Sequence, residues 1–175
     1  MTDESWYPEN YIYKPVYPDQ PSFIINDIAY PRLHRRRASF WYKQRDAALW
    51  EWQQAHLTFT VKSDVQNAYA PGEITLDLWD IPDEEHLAGQ GCFECAPLHS
   101  GDEAGWVRID IDEFSALFRS HTADARHRLQ YYIGHELGHA LGFGHNPDPG
   151  LMMAQYDGIY IPSGLELLVA RRYYN

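Results

Sequence analysis

The segment HELGHALGFGH, residues 135–145, constrains the fold more than any other part of this 175-residue chain. His135 and His139 are four residues apart, so on a helix their side chains lie one turn apart on one face and both can reach one metal ion. His145 lies six residues further on, and six helical steps of about 100° would place it on the opposite side of an unbroken helix. The helix must therefore end between His139 and His145 if all three imidazoles are to meet.

Gly142 is the residue that can end this helix, because glycine adopts the left-handed conformation without the steric cost of a Cβ. Three neutral imidazoles leave one zinc coordination position for water, which is typical of a catalytic zinc site. Glu136 directly follows the first histidine and is suited to act as a base towards that water. The sequence therefore predicts one zinc ion held by His135, His139 and His145, with Glu136 as the catalytic residue in amide hydrolysis.

These residues match every specified position of HExxHxxGxxH, and the chain thereby resembles the metzincin clan of zinc endopeptidases. The second mark of that clan is a methionine turn after the third histidine, and NPDPGLMM, residues 146–153, is similar to it. The spacing from His145 to Met153 is like that of the matrixins, one family of the clan. The resemblance implies a metalloendopeptidase in which Met153 forms an apolar floor beneath the imidazoles without binding the metal.

A looser resemblance to the matrixins extends over residues 38–175. It implies an α+β fold of the zincin type, with a twisted mixed sheet, two main helices and a short C-terminal subdomain. It also implies that residues 87–93 include an edge strand that pairs with an extended substrate. Tyr156 is interpreted as a wall of the substrate pocket or as a packing residue. The candidate substrate-binding residues are Gly89, Gln90, Gly91, Cys92 and Tyr156.

Hydrophobic periodicity predicts the individual elements of this domain. Alternation with period two favours three strands, and helical spacing favours three helices. The strands are expected at residues 57–61, 74–78 and 107–111. The helices are expected from Ser39 to Ala55, from Thr122 or Asp124 to Leu141, and from Gly164 to Tyr173. Ser163 and Glu166 have the capping-box spacing at the start of the last helix.

Residues 1–37 are interpreted as an extended arm outside a domain that spans residues 38–175. Five of the eleven prolines of the chain fall within residues 1–31, where they alternate with Trp and Tyr. This spacing of Pro excludes a helix. We expect the arm to stabilise the domain by burying its aromatic rings, with a short strand at residues 23–25.

Acidic residues are concentrated in residues 64–113, where 13 Asp and Glu stand against one Arg, a local net charge of −12 in a chain of net charge −11. This sign disfavours nucleic acid as a partner. A solvated acidic face, a set of calcium sites and a cleft biased towards cationic substrates are the three interpretations. The candidate calcium ligands are Asp77, Asp80, Asp83, Asp110, Asp112 and Glu113.

Cys92 and Cys95 form a single CxxC, which we interpret as two ordinary loop cysteines or as a local disulfide. No apolar run approaches membrane-spanning length, and the N-terminus lacks the pattern of an export signal. We therefore expect no membrane partner. The pattern fits a cytoplasmic, phage-borne or otherwise unconventionally released protein, and the sequence does not choose among these.

Two alternatives to a zinc endopeptidase remain open from the sequence. The first is a catalytically idle module of the zincin fold that binds peptide or has a structural role. The second is a metal-dependent nuclease of the YbeY type, whose HxxxHxxGxxH spacing is similar but which lacks the Glu found here at position 136. The acidity of the chain disfavours RNA, so the expected partner is a polypeptide substrate.

Overall fold

The structure, a computed structural model, describes residues 21–82, 87–91, 105–154 and 158–174. The expectations for Asp83, Cys92, Cys95 and Tyr156, and for the arm up to residue 20, concern residues outside these ranges. Within these ranges, every helix is too short or too polar to traverse a bilayer.

One mixed sheet of five strands forms the centre of the fold. Its strands are β1 (Ser22–Asp27), β2 (Thr58–Lys62), β3 (Glu73–Trp79), β4 (Gly89–Gly91) and β5 (Gly105–Asp110). The spatial order is β2-β1-β3-β5-β4. The neighbouring strands β2, β1, β3 and β5 pair in parallel, and β4 pairs antiparallel with β5. Alternate residues of β5 are buried, as the predicted period of two requires.

Four α-helices accompany the sheet in the described residues. They are α1 (Arg35–Gln53), α2 (Ile111–Ser120), α3 (Ala123–Ala140) and α4 (Gly164–Tyr174). The predicted α+β class is confirmed, whereas the expectation of two main helices and one terminal helix omits α2. The helix predicted from Ser39 begins four residues earlier, because the three arginines Arg35–Arg37 form its first turn and arginine favours helix.

The start of α2 corrects the prediction of a strand through Ile111. Ile111 continues the alternation of Val107 and Ile109, but the strand ends at Asp110. The Asp110 carboxylate accepts a hydrogen bond from the backbone N–H of Glu113 at 2.8 Å and thereby caps α2. Asp110 and Glu113 also have the spacing of a capping box, a signal that was present in the sequence.

The strand expected at residues 23–25 is present as β1, and it lies inside the sheet. It pairs in parallel with β2 on one side and with β3 on the other. The buried Asp27 carboxylate at its end accepts hydrogen bonds from Trp41 Nε1 and from the Arg45 guanidinium of α1. Residues 22–37, which the sequence analysis assigned to the arm, therefore belong structurally to the domain.

Helix α3 packs against α1, α2, β4 and β5. Trp52 of α1 is fully buried, and its Nε1 donates a hydrogen bond to the Gly134 carbonyl of α3 at 2.9 Å. The Trp52 ring also lies 5.2 Å from the Phe143 ring, just beyond the end of α3. These contacts fix the C-terminal half of α3 against α1, and this half carries His135, Glu136 and His139.

Candidate metal centre

The end of α3 turns the chain so that the third histidine approaches the first two. Gly142 has a φ of 92°, in the left-handed region that was predicted for it. The N–H of Gly142 donates to the His139 carbonyl at 2.9 Å, and the N–H of Phe143 donates to the Gly138 carbonyl at 2.9 Å. This pair of hydrogen bonds is the usual way to close a helix on a left-handed glycine. The chain then leaves the helix towards His145.

The three imidazoles converge through their Nε2 atoms. His145 Nε2 lies 3.2 Å from His135 Nε2 and 3.1 Å from His139 Nε2. Among the residues that the structure describes, these three form the one group of three or more His, Cys, Asp or Glu side chains able to hold a common metal ion. His135 is buried, His139 is half-buried and His145 is exposed, so the group opens towards solvent on one side.

Backbone carbonyl groups fix the tautomers of the first two histidines. His135 Nδ1 lies 2.7 Å from the Met152 carbonyl oxygen, and His139 Nδ1 lies 2.7 Å from the Phe143 carbonyl oxygen. A carbonyl oxygen only accepts hydrogen bonds, so Nδ1 carries the proton in both rings. The lone pair of each Nε2 therefore points at the common centre, as a metal ligand requires.

Burial keeps these imidazoles neutral. It lowers the pKa of His135 to about 4 and that of His139 to about 3, because the charged form loses its hydration. It also lowers the pKa of His145. Neutral imidazole is the form that binds metal, so at neutral pH the donor set is ready for a cation.

The donor set fits zinc. Two nitrogen ligands at about 2.0–2.1 Å from a tetrahedral zinc ion lie about 3.4 Å apart. The observed Nε2–Nε2 distances of 3.1 and 3.2 Å are close to this value. The Nε2 lone pairs of His135 and His139 point at one place, and His145 Nε2 lies beside both, so the three nitrogen atoms are arranged to share one metal ion.

Glu136 lies between α3 and β4. It is buried, and burial raises the pKa of its carboxyl group to about 8, although the N–H of Gly91 in β4 donates to it and opposes this rise. A Cβ on Gly89 would lie 2.9 Å from Glu136 Cγ, and a Cβ on Gly91 would lie 2.3 Å from the Glu136 carbonyl oxygen. The strand approaches the helix this closely because both residues are glycine.

The candidate substrate-binding residues therefore divide into three groups. Gly89 and Gly91 face α3 beside Glu136, whereas Gln90 occupies the intervening position and points to the other face of the sheet. Cys92 and Tyr156 lie outside the described residues.

The segment that resembles a methionine turn packs against α3 beside the histidines. Met152 and Met153 are both fully buried. A Cβ on Gly138, between the two helical histidines, would lie 2.3 Å from Met153 Sδ, and one on Gly134 would lie 2.8 Å from Met152 Cε. Met153 was predicted from the sequence, whereas the two glycines were not. Their four-residue spacing on one helix face was the available signal.

A cavity of about 390 Å³ adjoins the first histidine. The Tyr131 ring lies 5.5 Å from the His135 ring, and Gly158 passes so close that a Cβ there would lie 3.0 Å from the Tyr131 hydroxyl. This cavity was not predicted from the sequence, because its walls come from α3 and from residues after the methionine turn. The lining residues are Arg128, Tyr131, Tyr132, Gly158, Ile159 and Tyr160.

The candidate calcium ligands that are described do not form a cluster of the kind seen for the histidines. Asp77 is buried in the sheet, where it pairs with Arg32 and accepts a hydrogen bond from the Tyr69 hydroxyl. Asp110 caps α2. Asp80, Asp112 and Glu113 are the other candidate calcium ligands within the described residues.

Comparison with known proteins identifies the fold but no family. No protein-family model matches the chain, and no curated protein matches it. Among solved structures, 90 chains match, and one of them belongs to the structure described as the GM1-bound form of the ECX AB5 holotoxin. That match has a TM-score of 0.57 and 14% identity, and it covers 93% of this chain and 84% of the other. At this identity the likeness shows a shared α+β fold alone.

Proposed function

We propose that this chain is a zinc-dependent endopeptidase of the metzincin type, and that its α+β architecture is that of a zincin. The observation that carries the proposal is the convergence of three Nε2 atoms, from His135, His139 and His145. The match of residues 135–145 to HExxHxxGxxH supports it, as does the packing of Met153 beneath the helical histidines.

The three histidines would hold the zinc ion through Nε2, and two of them are oriented for this by the carbonyl groups of Met152 and Phe143. Bound zinc supplies Lewis-acid polarisation of the scissile carbonyl and lowers the pKa of the attacking water. Proton transfer and alignment of the substrate depend on residues of the chain itself.

Glu136 provides proton transfer in this proposal. A cation held by the three histidines would favour the ionised form of the Glu136 carboxyl group, against the effect of burial. The carboxylate would then take a proton from the attacking water and deliver it to the leaving nitrogen, so that one side chain serves as base and then as acid. The N–H of Gly91 donates to this carboxylate and limits its orientations. Replacement of Glu136 should therefore abolish turnover without removing a metal ligand.

Strand β4 provides alignment of the substrate. It lies at the end of the strand order, next to Glu136 and His139, where an extended peptide can add to the sheet by backbone hydrogen bonds. The cavity lined by Tyr131 would then receive one substrate side chain, because the Tyr131 ring lies 5.5 Å from the His135 ring.

The test is Glu136→Gln, which keeps the shape of the side chain but removes the base. We expect one zinc per chain in both proteins and a loss of at least about a hundredfold in cleavage of an unstructured protein substrate. Glu51→Gln makes the same chemical change on α1, outside the site, and should retain full activity. His145→Ala should lose zinc.

Each alternative predicts a different result of this test. Unchanged cleavage by Glu136→Gln would remove Glu136 from the mechanism. Zinc binding without cleavage of any peptide by the unmutated protein would favour the idle module. Cleavage of RNA that depends on the metal would favour the nuclease.

A further inference from the structure

Glu166, at the third position of α4, has a fully buried side chain that touches the methionine turn. Its Oε1 accepts a hydrogen bond from the N–H of Met153 at 2.8 Å. Its Oε2 accepts hydrogen bonds from the N–H groups of Met152 at 3.1 Å and Ser163 at 2.7 Å. A helix cap alone requires none of the contacts to the methionine turn, so Glu166 does more than the capping role its spacing predicts.

The hydrogen bonds continue from the methionine turn to the histidines. The peptide group between Met152 and Met153 offers its N–H to Glu166 and its carbonyl oxygen to His135 Nδ1. The next carbonyl oxygen, that of Met153, accepts the N–H of Asn146 at 2.7 Å, and Asn146 directly follows His145. One carboxylate is thus connected to two of the three candidate metal ligands.

We propose that Glu166 is a positioning residue for the metal centre, which acts on His135 through the Met152–Met153 peptide group. Metal-ligating histidines commonly donate their second ring N–H to a carboxylate or to a carbonyl oxygen. Here a carboxylate and a carbonyl oxygen act one after the other. The Glu166 carboxylate polarises the Met152–Met153 peptide group, and the carbonyl oxygen of that group accepts the hydrogen bond from His135. The negative charge of Glu166 therefore makes His135 Nε2 a stronger donor to a metal.

Burial raises the pKa of the Glu166 carboxyl group, but the backbone N–H groups of Ser163, Met153 and Met152 oppose this rise and favour the ionised form. Both carboxylate oxygens accept hydrogen bonds from N–H groups, and a carboxylic acid would turn one oxygen into a donor facing those same N–H groups. Hydrogen bonds from neutral N–H groups to a charged acceptor are also stronger than those to a neutral acceptor. The three observed hydrogen bonds therefore fit the ionised carboxylate.

The inference rests on the proposed zinc site, and its test separates it from that proposal. The variant is Glu166→Gln, which keeps size and shape but removes the charge and places an amide donor against a backbone N–H. The matched control is Ser163→Ala, which removes the hydrogen bond from the Glu166 N–H to Ser163 Oγ at 3.2 Å and weakens the same end of α4. Both variants should lower the melting temperature.

Two readouts distinguish positioning from stability. Zinc affinity, measured by competition with a chelator, should fall about 10- to 100-fold in Glu166→Gln and by less than about twofold in Ser163→Ala. In the metal-free proteins, the Nδ1–H of His135 observed by NMR should exchange with solvent at least about tenfold faster in Glu166→Gln than in Ser163→Ala. Equal zinc affinity or equal exchange in the two variants would overturn the inference.

The remaining outcomes are also decisive. If the unmutated protein binds no zinc, the proposed function fails, and the exchange measurement still decides whether Glu166 acts on His135. If Glu166→Gln does not fold, the same measurements are made on Glu166→Asp. This variant keeps the negative charge, but its side chain is one methylene shorter, so the carboxylate lies further from the methionine turn. It should weaken zinc binding at least threefold relative to Ser163→Ala, and an affinity equal to that of Ser163→Ala would overturn the inference.

Discussion

Close contacts between α3 and its neighbours at the candidate metal centre occur in two regions, and each contact requires a glycine. The two regions differ in how firmly they are held. The floor, formed by Gly134, Gly138, Met152 and Met153, is enclosed by the core. The rim, formed by β4 (Gly89–Gly91), pairs with β5 along one side. A Cβ would come within 2.3 Å of another atom at Gly138 in the floor and at Gly91 in the rim.

The comparison shows that equal overlap need not have equal consequences. Atoms in the floor have neighbours on every side, so an added methyl group must distort the core or the histidines that it supports. A short edge strand can move outward at small cost to the core. We therefore expect changes in the floor to alter stability and metal affinity, and changes in the rim to alter turnover.

Gly138→Ala is the variant with the largest expected effect. The new Cβ would lie 2.3 Å from Met153 Sδ and 3.1 Å from Trp52 Cζ2, both of them on fully buried side chains. Overpacking of this kind costs about 3 kcal/mol, and the better helix propensity of alanine offsets about 1 kcal/mol. The free energy of unfolding, measured in urea, should fall by about 2 kcal/mol, and zinc affinity should fall at least tenfold.

Gly164→Ala is the matched control, because a Cβ on Gly164 at the start of α4 would have no atom within 4 Å. Its stability should be unchanged or raised by up to about 1 kcal/mol. If Gly138→Ala proves as stable as Gly164→Ala and retains zinc, the floor is not rigid and the comparison between the two regions fails.

The sequence predicted the parts of the site that depend on local spacing. The separation of His135 from His139 sets one helix face, and the left-handed conformation of Gly142 follows from its lack of a Cβ. Of the two starts predicted for α3, Thr122 or Asp124, the structure has Thr122 as the cap, since its side chain accepts a hydrogen bond from the N–H of Ala125. Such features depend on a few neighbouring residues.

The sequence did not predict the features that depend on distant contacts. Two hydrogen bonds of Glu166 join α4 to the methionine turn, whereas the spacing between Ser163 and Glu166 indicated only a cap. The role of β1 as an inner strand depends on pairing with β2 and β3, which the prolines before it do not reveal. The end of β5 at Asp110 was obscured by hydrophobic alternation that continues into α2.

Gly91→Ala tests the rim. Its Cβ would lie 2.3 Å from the Glu136 carbonyl oxygen and 2.6 Å from His139 Cβ, so β4 must move away from α3. The move would displace the N–H that orients Glu136 and the backbone proposed to align the substrate. We expect kcat/KM to fall at least tenfold, while the free energy of unfolding changes by less than about 1 kcal/mol.

Gln90→Ala is the control on the same strand, because its side chain points away from α3. It should retain kcat/KM within about threefold. A loss of stability in Gly91→Ala as large as that in Gly138→Ala, measured in the same urea series, would show that the rim is as constrained as the floor.

Thr122→Ala should have the smallest effect and makes the comparison sharper. Thr122 caps α3 at the end remote from the histidines, where its Oγ1 accepts a hydrogen bond from the N–H of Ala125 at 3.0 Å. Loss of such a cap lowers the free energy of unfolding by about 1 kcal/mol. Thr122→Ser keeps the hydroxyl and should restore most of this loss.

Zinc affinity and kcat/KM should match the unmutated protein in both variants, because α1 and the methionine turn hold the C-terminal half of the helix independently of its cap. If zinc affinity instead falls in Thr122→Ala, then metal binding follows the overall stability of α3, and the weaker zinc binding expected of Gly138→Ala could not be attributed to the floor.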